Sequence, residues 1–225
     1  MIDQLVIGDK ASFDDFVASV ATRKIKTPSK KSIKETVPFS NITYDFSAID
    51  GEVYWEEREL EYTFEITADD PEQLEELKRQ FSAWVMSVQE QPLFDPYITG
   101  YHFKATYDDM SVNDDDGLEK TTLTVTFSAY PYMIADDAKV YEATIAKSAQ
   151  TTITVLNESS HPVIPTLYCS NVAELKIGNE SYAMSLGTTT DASFKIPVGQ
   201  TQIKVSNPSS TASTTVRITF NEEVF

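Results

Sequence analysis

The sequence predicts a mainly β protein in two parts: a sheet covered by one α-helix, then an antiparallel sandwich or jelly roll. Three observations carry this. Apolar and polar residues alternate with a period of two over 59–67 and 121–129. A single stretch, 71–90, has helical periodicity instead. Composition also changes abruptly near residue 138. Residues 1–137 hold 12 basic and 28 acidic residues and 19 of the 25 aromatics, whereas residues 138–225 hold 6 basic and 7 acidic residues with 24 Ser and Thr. A coincident shift in charge, aromatics and hydroxyl content marks a domain boundary.

The elements follow in order. "NITYDFSAI" (41–49) is a strand candidate. In "ELEYTFEIT" (59–67), Leu60, Tyr62, Phe64 and Ile66 alternate with Glu59, Glu61, Thr63 and Glu65, so one face is apolar. The helix begins at "DDPEQLEEL". Asp69 or Asp70 caps it, Pro71 suits the first turn, and Glu72, Glu75 and Glu76 lie near the positive end of the dipole. Leu74, Leu77, Phe81, Trp84, Val85 and Val88 then share one face, which covers a sheet. "YHFKATY" (101–107) and "TTLTVTFSA" (121–129) are further strands, and Pro131 stops the second before the connecting stretch "YPYMIADDAK". Beyond it, "TTITVLN", "VIPTLYC", "VAELKIG", "ESYAMSL", "ASFKIPVG", "TQIKVSN" and "STTVRITF" supply seven short strands with turns about every ten positions, the rhythm of antiparallel sandwiches.

Composition narrows the function classes. A net charge of −17 argues against stable contact with nucleic acid or an anionic membrane. No apolar run reaches the roughly 20 residues a membrane span needs. The segment MIDQLVIGDK lacks the charge pattern of a secretory signal, which predicts folding in a cytoplasm, and the single Cys169 fits a reducing compartment. With only His102 and His161, no multi-histidine metal site exists, and the nucleophile and phosphate-loop motifs are missing. The pair His161 and Cys169 reads as a turn histidine before Pro162 and a buried strand cysteine. "NDDDG" (113–117) lacks the EF-hand pattern at Val112 and Leu123 and reads as a hairpin turn. Two sequons, at Asn157 and Asn179, have no role without secretion. The residues therefore predict no enzyme, catalytic residue, cofactor or metal.

Two features point to an interaction surface. "RKIKTPSKKSIK" carries Arg23, Lys24, Lys26, Lys30, Lys31 and Lys34 with no acid. Pro28, Ser29 and Ser32 make it a loop or extended arm, not a helix; it reads either as a solvated loop or, in an assembly of identical acidic subunits, as the partner of a neighbour's acidic surface such as 45–76. In "GEVYWEERELEYTFEI" (51–66), Tyr54 and Trp55 are adjacent, so a strand sends them to opposite faces. One packs inside, and the other, beside Arg58, is a candidate interface anchor.

The same hairpin resembles the distal tail proteins of long, non-contractile-tailed phages and prophages. Matching features are Asp15-Phe16, the basic loop, the "Y-x-E-R" strand in 51–66, the helix opening "DPEQLEELKRQF" and "FSAYPY" (127–132). They continue through "NESSHPVIPTL", "LKIGNESYAM", "IPVGQTQIKVSN" and "ITFNEEVF", so the resemblance spans nearly the whole chain. It departs from the family at the glycine-rich turn, reduced here to Gly51. The resemblance implies an N-terminal β-sandwich with its helix (1–137), forming a homo-hexameric ring, and a C-terminal galectin-like sandwich (138–225) projecting outward. It further implies contact with the tail tube protein on one face and with a fibre or lysin protein on the other. Receptor-binding proteins would attach at the outer domains, with assembly in the host cytoplasm and residence at the virion tail tip. The alternative is a lectin-like carbohydrate-binding module in the second domain.

Overall fold

Leu60, Tyr62, Phe64 and Ile66 all point inward from one strand, and Leu123, Val125 and Phe127 answer them from its neighbour. This pair is the centre of the first unit. The computed structural model describes residues 3–36, 38–48, 51–114 and 119–225. It divides into Met1–Met133 with Phe225, and Ile134–Val224.

The first unit contains β1 (Val6–Ile7), β2 (Lys10–Ala11), α1 (Ser12–Phe16), β3 (Ala18–Ile25), β4 (Lys34–Thr36), β5 (Thr43–Asp45), β6 (Arg58–Thr67), α2 (Pro71–Met86), β7 (Gln91–Phe94), β8 (Tyr101–Asp114) and β9 (Lys120–Ala129). The main sheet runs β3–β6–β9–β8–β7–β1–β2, all antiparallel, while β4 and β5 pair only with each other. Strand β8 serves two neighbours in succession: Phe103 faces Leu93 of β7, and Ala105 through Asp114 run along β9. A bulge between Tyr107 and Asp109 adds the bend this requires.

Helix α2 starts as its sequence dictates. The Asp70 carboxylate accepts from the Gln73 N–H at 2.8 Å, and Pro71 occupies the first turn. Its apolar face brings Phe81 to 4.9 Å from Phe64 and Trp84 to 4.7 Å from the ring of Phe16. Each fully buried side chain of this kind contributes about 1.5–3 kcal/mol, so the helix is held mainly by this stripe.

The second unit contains β10 (Met133–Ile145), β11 (Gln150–Asn157), β12 (Thr166–Cys169), β13 (Ala173–Ile177), β14 (Glu180–Met184), β15 (Gly187–Thr190), β16 (Gly199–Ser206) and β17 (Thr214–Val224). One sheet has the order β15–β12–β17–β10 and the other β11–β16–β13–β14. Leu167, Cys169, Val216 and Ile218 meet Val155, Leu175, Ile203 and Val205 in a shared core. The protein is thus mainly β, with antiparallel sheets and two helices. Three local expectations change. The stretch 130–139 is largely part of β10 instead of a connection. Residues 192–199 form no strand until Gly199: Ile196 makes only a bridge to Val163, and Pro197 has no N–H to extend it. The polar Gly187–Thr190 is a strand that apolar patterning does not reveal.

Two buried asparagines fasten the ends of this sandwich. The Asn157 amide donates to the carbonyls of Ile196 (2.9 Å) and His161 (3.3 Å) and accepts from the Ser159 N–H at 3.0 Å. Asn207 donates to the carbonyls of Ile145, Ala146 and Ala212 and accepts from Ser209 N–H at 3.0 Å. Because β11 and β16 are antiparallel, with Asn157 opposite Gly199 and Gln150 opposite Ser206, the two asparagines lie at opposite ends of the strand pair. The sequon at Asn157 is therefore buried inside the fold.

Candidate interaction surface

The structure sorts the six cations of the basic stretch into two groups. Arg23, on β3, turns into its own unit. Its Nε donates to both carboxylate oxygens of Asp95, at 3.1 and 2.9 Å, while Nη2 pairs with Asp3. Its guanidinium also lies over the Tyr97 ring, 4.1 Å from the centroid. Asp95 is fully buried and accepts further from the Tyr62 hydroxyl (3.1 Å) and the Tyr97 N–H (3.0 Å). Burial, reinforced by the adjacent Asp95 charge, pushes the Tyr62 phenol well above its ordinary range. This cluster is a clamp tying β3, β6 and the turn after β7. Lys24 and Lys26 are also engaged within the chain, with Glu61 at 3.5 Å and Glu59 at 2.7 Å.

Lys30, Lys31 and Lys34 belong to a different object. Between β3 and β6, residues 26–57 leave the sheet as an extended arm. Its base is a pair of facing segments: Lys26 N–H donates to Glu59 O, Glu56 N–H to Ser29 O, and Lys31 N–H to Tyr54 O, with Lys30 opposite Trp55. Further out, β4 and β5 form a two-stranded hairpin whose strand side chains are all exposed. Among the described residues these three lysines have no ion-pair partner within 4 Å. Asp45, opposite Lys34 across the hairpin, accepts hydrogen bonds from Ser47, which hold its carboxyl below the usual aspartate range, with smaller contributions from Lys34 and Lys30.

The arm also carries apolar surface that its own chain does not cover. Among the described residues, seven of the nineteen exposed large hydrophobic ones fall between 33 and 54, including Ile33, Ile42, Tyr44, Phe46 and Tyr54. Phe39 adopts φ of 63°, a backbone conformation bulky residues rarely take. An isolated two-stranded hairpin is marginally stable in water, so this element is short of packing partners.

The aromatic pair splits. Tyr54 is exposed, with its hydroxyl 3.5 Å from Glu52, whereas Trp55 packs edge-on against Phe225 at 4.8 Å. Arg58 faces inward at 4% exposure, over the ring of Phe103 at 5.3 Å, and its Nε and Nη2 have no hydrogen-bond partner among the described residues. Burial lowers its pKa.

On the outer side of α2 lies a shallow groove of about 510 Å³, lined by Glu72, Glu75, Glu76, Lys78, Arg79, Ser82 and, from β8, Val112. Glu75 pairs with Lys78 and Glu76 with Arg79, leaving Glu72 and the two aspartates before the helix as its uncompensated charge. Sequence reading located the acids but not the groove, because Val112 arrives from a strand that only the fold brings alongside. Asp95 was missed for the same reason: its partner lies 72 residues away.

The remaining candidates separate. Cys169 is buried, with its sulfur 3.3 Å from the Thr214 hydroxyl, and His161 Nε2 lies 3.1 Å from Glu223. They form no pair. The turn expected at 113–117 lies largely outside the described residues. Among the described residues no cluster of three metal-ligating side chains occurs, and no helix is long and apolar enough to cross a membrane.

At the level of sequence, no family model and no curated protein matches the chain. Solved structures do. The SPP1 Dit protein (gp 19.1), described as a paradigm of the hub adsorption apparatus in phages infecting Gram-positive bacteria, superposes with a TM-score of 0.68. The match covers 98% of this chain and 99% of that one at 12% identity, so the likeness is one of fold from end to end. A chain of the phage p2 baseplate in its activated, strontium-bound conformation aligns over 96% of this chain and 98% of its own, with a TM-score of 0.47 and 10% identity.

Proposed function

We propose that this chain is a structural subunit of a phage tail tip, a distal tail hub protein that assembles with copies of itself. The observation carrying this reading is the end-to-end fold likeness to SPP1 Dit, which includes both units in one chain. The order of sequence motifs supports it independently. In this reading the first unit builds a six-membered ring, with the tail tube on one face and a fibre or lysin protein on the other. The second unit projects outward, where receptor-binding proteins attach. The protein works by binding, not by catalysis, and resides in the virion after assembly in the host cytoplasm.

The arm fits this role. Arg23, Lys24 and Lys26 hold its root to the sheet, Arg58 lies buried at the start of β6, and Lys30, Lys31, Lys34 and Tyr54 are left facing outward. Size-exclusion chromatography with light scattering over a range of concentrations, combined with electron microscopy of tails, tests the proposal. A ring of six copies is expected. A protein that stays monomeric at every concentration, and is missing from purified tail tips, refutes it.

A further inference from the structure

The hub reading gives the second unit no ligand of its own. We infer that the outer face of its β15–β12–β17–β10 sheet holds a binding site for a neutral oligosaccharide, centred on Tyr168, Arg217 and Glu142. This inference goes beyond the hub reading and does not depend on it.

Tyr168 is the unusual residue. Of the five aromatics between Ile134 and Val224, Phe194 and Phe220 are buried, while Tyr141 and Tyr182 pack against the core and use their hydroxyls within the chain. Tyr168 does neither. It lies on β12 between Leu167 and Cys169, whose side chains fill the core, so strand alternation turns its ring to the opposite face. There the ring is partly exposed, and among the described residues its hydroxyl has no hydrogen-bond partner.

The strand register surrounds this ring with groups that suit a sugar. Tyr168 stands opposite Arg217 on β17 and opposite Thr188 on β15. The Arg217 Nε donates to Glu142 on β10 at 2.6 Å, which holds the guanidinium beside the Tyr168 ring, 5.8 Å from its centroid. That one bond leaves the terminal nitrogens of Arg217 and the second carboxylate oxygen of Glu142 without partners among the described residues, and both side chains are about half exposed. Donors and acceptors held side by side match neighbouring sugar hydroxyls, each of which both donates and accepts. The adjacent aromatic offers an apolar surface on which the C–H face of a pyranose stacks. One row along, Thr190, Thr166 and Thr219 lie in register and add hydroxyls. Tyr168 and Glu142 are two strand spacings apart, about 10 Å, a span that two linked pyranose rings cover.

Charge selects a neutral ligand. At the site the one cation, Arg217, is offset by Glu142. Residues 138–225 are nearly balanced, at 6 basic and 7 acidic, while the chain as a whole carries −17 and repels polyanions.

The test applies the full chain to an array of neutral di- to tetrasaccharides of glucose, galactose, rhamnose and N-acetylglucosamine, with sialylated and sulfated glycans alongside. Members retained by the array are then titrated by NMR. Binding to at least one neutral member is expected. Tyr168→Ala should weaken it by about tenfold or more, and Tyr168→Phe, which keeps the ring, by less. Glu142→Gln and Arg217→Met should each weaken it by about tenfold. Lys204→Ala, on the exposed side of β16 in the other sheet, should change nothing. Circular dichroism checks that each variant is folded, and the exposed Glu142→Gln carries the test if Tyr168→Ala is not. Retention of no neutral glycan, retention of charged glycans alone, or an affinity that survives both Tyr168→Ala and Glu142→Gln overturns the site. Ring assembly is measured separately on the same variants, so the hub reading stands or falls on its own.

Discussion

Removing the Asp95 carboxylate is the sharpest test of how the first unit is held together. Asp95→Ala deletes the acceptor for three donors: the Arg23 Nε, the Tyr62 hydroxyl and the Tyr97 N–H. Two of them are left in trouble. Tyr62 is fully buried and its hydroxyl loses Asp95 as acceptor, and Arg23 keeps Asp3 but loses the inner half of its clamp. Breaking a buried ion pair from one side costs about 3–5 kcal/mol. With a urea m-value of about 2 kcal/mol/M, the midpoint should fall by roughly 1.5–2.5 M. The readout is specific, because both tryptophans, Trp55 and Trp84, lie in the first unit, so their fluorescence follows that unit alone. Asp3→Ala, at the more exposed end of the same arginine, should cost less than about 1 kcal/mol. A midpoint shift below about 0.5 M for Asp95→Ala, or an equal shift for Asp3→Ala, would show that the clamp does not carry this load.

Arg58 makes the opposite prediction: with Nε and Nη2 unpartnered in a buried site, Arg58→Met should leave the first unit's urea midpoint unchanged or raise stability by about 1 kcal/mol. A loss above about 2 kcal/mol in the same fluorescence melt would contradict it. Asn157→Ala leaves two carbonyls and the Ser159 N–H without their partner, so it should cost about 1–3 kcal/mol. Amide hydrogen exchange should show the loss across β11 and β16 together. In the arm, Asp45 has a depressed pKa chiefly through its hydrogen bonds from Ser47. Its contribution is therefore present above the ordinary aspartate pKa and lost as pH falls through the depressed value. Carboxyl titration followed by NMR should place Asp45 below a free aspartate, and Ser47→Ala should bring it back up.

How far the sequence reveals this structure depends on whether the information is local. The alternation in 58–67 and 120–129 reports a sheet with one buried face, and the Asp70-Pro71 start with its Leu74, Phe81, Trp84 and Val85 stripe reports a covering helix. Both are period signals contained within ten to twenty residues. Gly187–Thr190 carries no such signal, since it is polar on both faces and is held by pairing with β12. Asp136 and Asp137 mask the alternation of β10 in the same way. The interaction surface divides along the same line. Charge and proline content identify an arm at 23–34, but nothing in one dimension says that Arg23 turns inward to Asp95 while Lys30, Lys31 and Lys34 stay outside. Tyr54 and Trp55 were expected to part company, and they do; which of the two faces inward depends on Phe225, 170 positions further along the chain.

The paired asparagines have a consequence for variation. Each one ties off its end of the sandwich with a side chain, using mainly backbone carbonyls and one N–H as anchors. Several of those anchors lie in the residues just beyond the asparagines: Ser159 N–H and His161 O within 158–162, and Ser209 N–H and Ala212 O within 208–213. A change in the length of either loop therefore takes an anchor away and frees a strand end. Variation at the poles of this unit is confined to side chains that make none of these bonds.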